Sequence, residues 1–204
     1  FHTIITQSSD IGAGNGLSIG LSDDVMQYLI DHEGHDFYYS LWGNITRPSL
    51  TTDPGGSKTL MNIAKTSGSG WAAHQSHTIS QLRPAGADRI GQYSTGRDAL
   101  GPFLSVVAGK PDADFAGSTL ADFPDENYRA IAQFGTVSLQ NNFAAIRSAL
   151  QSWVFYRMYI EDLTVSGRRF EEVRAIDEAL YQQEVLTEGG KYFEDSFTNP
   201  STIP

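Results

Sequence analysis

The sequence predicts a mainly α fold: a helical core with long loops and mobile N- and C-terminal arms. Three observations lead there. Phe143, Ile146, Leu150, Val154 and Met158 recur at spacings of 3 and 4 residues, the period of one helix face. Phe170, Val173, Ile176 and Leu180 continue that period after a break at Ser166-Gly167. Ser22-Asp23-Asp24 has the chemistry of a helix start, with a capping hydroxyl followed by two carboxylates at the positive end of the helix dipole.

Taken in order, residues 1–21 form an N-terminal arm, with a strand-like run at His2–Thr6 and a Gly-rich stretch at Gly12–Gly16. A flexible arm explains that stretch better than a phosphate loop, because the third glycine of a dinucleotide fingerprint is missing. The core domain spans 22–188. Its first helix starts at Ser22 and carries Val25, Leu29, Tyr38, Leu41 and Trp42 up to Gly43, with a possible break at Gly34. Pro48 and Asp53-Pro54-Gly55-Gly56 mark a loop. A shorter helix is expected over Ser57–Thr66, and a short strand near Thr78–Leu82. A third, buried helix is expected over Asp98–Ala108, with Pro102 tolerated in its first turns. A helical turn is placed around Glu126–Gln133. The long C-terminal helical stretch then runs from Ser138 to Glu188, and a tail follows over 189–204. Trp153, Phe155, Tyr156, Tyr159 and Ile160 widen its apolar surface beyond one stripe, so cover on several sides is expected, from its own domain or from neighbouring subunits.

Composition narrows the function. Of 204 residues, 24 are acidic and 14 basic, for a formal charge of -10, which disfavours a broad nucleic-acid-binding face and an anionic membrane surface. With no cysteine there is no disulfide, thiolate metal site or Cys nucleophile. No apolar run approaches the roughly 18 residues needed to cross a bilayer, so no membrane partner is expected. Gly-x-Ser-x-Gly is absent, and nucleophilic catalysis has no anchor. Asp122, Asp125 and Glu126 read as a solvated loop. The run Phe37-Tyr38-Tyr39-Ser40-Leu41-Trp42 is core by its apolar weight, with sugar stacking as the alternative.

Two features carry chemistry. Four of the five histidines fall in two His-x-x-His pairs, His32 with His35 and His74 with His77. Histidines three apart on a helix share a face and can ligate one ion. Solvated or capping histidines are the plainer reading, since neither pair is the His-Glu-x-x-His of zinc proteases. The basic residues are sparse: Arg83, Arg89 and Arg97 precede the third helix, Lys110 follows it, and Arg129 and Arg147 come later. Antiparallel packing of the third and long helices would gather Lys110, Arg129 and Arg147 at one end, enough to hold a few phosphates.

The run Phe143-Ala144-Ala145-Ile146-Arg147-Ser148-Ala149-Leu150 resembles the start of the last long helix of tobacco-mosaic-type viral coat proteins. Arg168-Arg169-Phe170-Glu171 resembles the basic, then Phe-Glu, motif near the C-terminus of rod-shaped plant virus coats. Pro102–Gly109 resembles the family's preceding buried helix. Together the similarity covers about residues 98–175. It implies a four-helix-bundle-like core and a non-enzymatic coat protein, without a cofactor, that polymerises with copies of itself into a helical rod or filament around single-stranded RNA. It implies location in the virion and the host cytoplasm. Bases would lie against Asn141, Ala144, Ala145 and Ser148, and Arg147, Lys110, Arg129 and Arg97 would supply the charged contacts. Small residues and few charges suit sequence-tolerant packaging. Two alternatives stand beside it: a metal-dependent enzyme using His32, His35, His74 and His77, and a filament or surface protein unrelated to viruses.

Overall fold

The run Phe37–Arg47 is a strand, and so is Ser152–Asp162, where the sequence predicts the middle of the longest helix. The computed structural model describes residues 17–47, 59–63, 77–80, 92–94, 103–108, 117–126, 128–134 and 152–197. Within these, β1 (Leu17–Gly20) leads into α1 (Asp23–Asp31), followed by β2 (Phe37–Arg47), β3 (Thr59–Ile63), β4 (His77–Ser80), β5 (Gln92–Ser94) and β6 (Phe103–Ala108). A short 3-10 turn at Leu120–Asp122 precedes β7 (Arg129–Phe134). The chain continues through β8 (Ser152–Asp162), α2 (Leu163–Ser166), α3 (Phe170–Tyr181) and a wide helical turn at Gln182–Leu186.

The strands form two sheets. One has the order β1-β7-β3-β4-β5, antiparallel except for the parallel pair β4-β5. The other is antiparallel, with the order β6-β2-β8. The fold is therefore mixed α and β, and the mainly α, four-helix-bundle-like expectation is corrected. The sequence predicts helices at Ser57–Thr66 and Asp98–Ala108 and a helical turn around Glu126–Gln133; strands β3, β6 and β7 lie there. The start at Ser22 and the short strand near Thr78 are found as expected. Leu17–Gly20, assigned to the arm, pairs with β7.

Strand β2 explains the misreading. Its residues alternate between two covered faces. Phe37, Tyr39 and Leu41 enter a core with Met26, Leu29 and Ile30 of α1, Met61 and Ile63 of β3, Phe134 of β7 and Trp153 of β8. Tyr38 instead packs with Leu163, Val173 and Phe170, beneath α3. Trp42 meets Tyr181 edge-on at 5.6 Å. A strand buried on both sides shows no polar alternation, so its sequence is a continuous apolar run that periodicity cannot tell from a buried helix.

Strand β8 conceals its period differently. Trp42 pairs with Arg157 and Gly43 with Phe155, so Tyr156 is an extra residue in a β-bulge. The bulge shifts the alternation by one. Core contacts come from Trp153 and Phe155 before it and from Met158 and Ile160 after it. The resulting step of three mimics a helical interval. The aromatic and β-branched content of Ser152–Asp162 favours a strand, and tertiary packing selects it.

Helix α3 lies where the sequence places it, but rotated. Its buried face is Val173, Asp177 and Tyr181, while Ile176 and Leu180, expected inward, are exposed. Asp177 is buried because it has partners: Tyr38 Oη donates to it at 3.1 Å and Arg157 at 2.6 Å. The Arg157 guanidinium also lies over the rings of Trp42 (4.5 Å) and Tyr159 (5.0 Å).

The turn from β8 into α3 is held by Glu161. Arg168 Nε donates to its Oε1 at 2.7 Å, and Tyr159 Oη donates to its Oε2 at 2.6 Å. Burial pushes the Glu161 carboxyl up, but the hydrogen bonds from Arg168, Tyr159 and Ser166 together outweigh that and hold it below the usual range. A carboxyl with a depressed folded pKa stabilises the fold above its unfolded value of about 4, and that contribution disappears as pH falls through the lower folded value. Urea unfolding of the protein and of Glu161→Gln should therefore differ most above pH ~5 and converge below pH ~3. A gap that stays constant across that range would remove Glu161 as an acid-sensitive tie.

Candidate functional site

Residues 187–197 fold back onto the three-stranded sheet instead of trailing as a tail. At the wide turn Gln182–Leu186, Thr187 Oγ1 donates to Gln182 O at 2.9 Å. Tyr192 N–H donates to Glu184 O at 2.9 Å. Gly190 permits this approach, since a Cβ there would lie 2.7 Å from Glu184 O.

Between this returning segment, β2, β8 and the end of α3 lies a cleft of about 250 Å³. Tyr156 and Tyr181 come from β8 and α3, and Tyr192, Phe193 and Phe197 from the returning segment. Val185 and Leu186 add aliphatic surface, and Asn44 and Asp195 add an amide and a carboxylate. Tyr156 is the bulged residue of β8, so the irregularity that hides the strand in the sequence also marks the residue in the cleft. Its ring sits 4.8 Å from that of Tyr192 and 6.2 Å from that of Phe197.

The cleft is electronegative. Burial pushes the Tyr156 phenol up to about 12, with Asp195 and Tyr192 adding to the shift. Tyr181 is also pushed up to about 12, by burial and then by Tyr156. Both phenols are neutral at physiological pH. Among the described residues, no Lys, Arg or His lines the cleft and no cation pairs with Asp195. Lys191 Nζ stands 5.0 Å from the ring of Tyr192, so this ring already accepts one cation.

A second cluster forms where α1 meets the β8–α2 junction. Helix α1 ends at Asp31, so His32 is its cap and not an interior residue, and His35 lies in the turn before β2. His35 Nδ1 is 2.6 Å from Asp162 Oδ2, Tyr28 Oη donates to the same oxygen at 2.9 Å, and Val165 N–H donates to Asp162 Oδ1 at 2.9 Å. Burial raises the Asp162 carboxyl, but His35, Val165 and Tyr28 together hold it below its ordinary value. His32 Nδ1 lies 2.8 Å from Tyr28 O, and its ring stacks on Tyr28 at 4.0 Å.

Of the residues expected to contact RNA, Arg97, Lys110, Asn141, Ala144, Ala145, Arg147 and Ser148 lie outside the described residues. Arg129 is described on β7, where its guanidinium is ion-paired with Asp23. His74 also lies outside the described residues, while His77 is the first residue of β4. Among the described residues, no group of three or more His, Asp or Glu side chains comes together to hold a metal. None of their helices is long and apolar enough to cross a membrane.

Sequence reasoning missed the cleft and Asp162. The sequence shows the aromatic density around Tyr156 but reads it as a helix surface covered by its own domain or by neighbouring subunits, and it places Tyr192, Phe193 and Phe197 in a mobile tail. Asp162 lies 127 residues from His35, beyond any spacing motif. Compared with protein-family models, curated proteins and solved structures, the chain matches none.

Proposed function

We propose that this chain is a ligand-binding domain whose C-terminal cleft takes a small organic cation, such as an alkylated ammonium. One observation carries the reading: five aromatic side chains and a carboxylate line the cleft, with no basic residue among its described lining. Aromatic faces attract a cation through their quadrupole, and Asp195 adds a formal charge of the right sign. The net charge of -10 favours the approach of such a ligand over long range. The volume suits a molecule of a few heavy atoms or a side-chain head group.

Titration calorimetry with tetramethylammonium and choline chloride tests this, with neohexanol as the uncharged isostere of choline. Saturable binding of the cations is expected, with Asp195→Asn weakening it roughly 5–10-fold, the size of about 1 kcal/mol of lost charge attraction. Equal binding of neohexanol, or an unchanged affinity in Asp195→Asn, would exclude a cation site. The RNA-coat reading retains the sequence resemblance as its support. The continuation of its long helix, over Ser152–Asp162, is a strand.

A further inference from the structure

We propose that His32 and His35 together bind one divalent transition-metal ion through their Nε2 atoms, at a site separate from the aromatic cleft. Each imidazole is already fixed at its other nitrogen. His35 Nδ1 faces the Asp162 carboxylate at 2.6 Å, and His32 Nδ1 faces the Tyr28 backbone carbonyl at 2.8 Å. Neither acceptor has a proton to give, so both rings carry Nδ1–H and present an Nε2 lone pair in the neutral form. A carboxylate or carbonyl on the far nitrogen is the arrangement that orients metal-ligating histidines and raises their basicity.

The spacing between the rings fits one ion. Their centres are 4.8 Å apart, at an interplanar angle of 62°. Two imidazoles on a single ion, each with its nitrogen about 2.0 Å away, hold their ring centres about 5 Å apart. The tight turn supports this distance: His35 N–H donates to His32 O at 2.9 Å. Among the described residues, nothing bonds either Nε2. His35 keeps 28% of its side chain exposed, so the site is open to solvent. With no third protein ligand among the described residues, water fills the remaining positions. Such a two-imidazole site follows the general order of divalent affinities, copper(II) before nickel(II) and zinc(II).

The test is calorimetry of the full chain with copper(II) and with zinc(II), plus electron paramagnetic resonance of the copper form. One equivalent of copper(II) is expected with nitrogen hyperfine structure from two imidazoles, and zinc(II) more weakly. His32→Ala and His35→Ala should each weaken binding at least about tenfold. Asp162→Asn keeps a side chain able to cap α2 and should weaken binding by about tenfold through His35 alone. Thermal melts of the metal-free variants separate this from unfolding. Copper binding that survives in the double variant His32→Ala/His35→Ala would overturn the proposal, because it would place the ion on other residues. So would the absence of stoichiometric binding in the unaltered protein.

Discussion

Replacing Asp177 by Ala should lower the unfolding free energy by about 3–5 kcal/mol, the usual result of removing one partner from a buried ion pair. For a chain of this size that corresponds to a fall in melting temperature of roughly 10 °C. Asp177 is 2% exposed on the inner face of α3, and its two oxygens accept from Tyr38 and Arg157. Truncation leaves the Arg157 guanidinium against Trp42 and Tyr159 with its charge uncompensated. Asp177→Asn should cost less, because the amide oxygen still accepts one hydrogen bond while the charge is lost. Urea unfolding followed by tryptophan fluorescence measures both. A loss below about 1 kcal/mol in Asp177→Ala would mean that the pair behaves as a surface salt bridge and does not hold α3 to the sheet.

Asp177 also shows what sequence could and could not reveal. The second C-terminal helix was legible in its extent, and its end after Leu186 was marked by Gly189-Gly190. Its orientation was not, because Val173, Ile176 and Leu180 make the more apolar stripe. The helix turns its acidic residue inward because Arg157 and Tyr38 wait there, a pairing across 20 and 139 residues. The Ser22 cap was legible for the opposite reason, since capping is local: Val25 N–H donates to Ser22 Oγ at 3.4 Å within one turn. At the histidines, the pairing of His32 with His35 could be read from spacing. The Asp162 carboxylate that orients His35 could not, because the fold alone brings it there. The cleft depends on the same kind of long-range return, with residues 192–197 arriving beside Tyr156.

Trp153→Ala should destabilise the isolated chain by about 3–5 kcal/mol, the range for deleting a large buried aromatic. The ring is 1% exposed and stacks on Phe134 at 4.6 Å, with Phe155 edge-on at 6.1 Å. Phe134 belongs to β7 of the five-stranded sheet and Trp153 to β8 of the three-stranded sheet, so this stack ties the two sheets together. Gly43 makes the space: a Cβ there would sit 2.7 Å from Val154 O and 3.1 Å from the Trp153 ring. The helical reading makes a different prediction for the same substitution. It puts Trp153 on the widened outer surface of a long helix, available to a neighbouring subunit. Loss of Trp153 would then weaken assembly and leave monomer stability nearly unchanged. Chemical unfolding at low protein concentration, with sedimentation to confirm the oligomeric state, separates the two. Stability unchanged to within about 0.5 kcal/mol would contradict the strand and its place in the core. A multi-kilocalorie loss, independent of protein concentration, is the outcome the sheet-to-sheet stack requires.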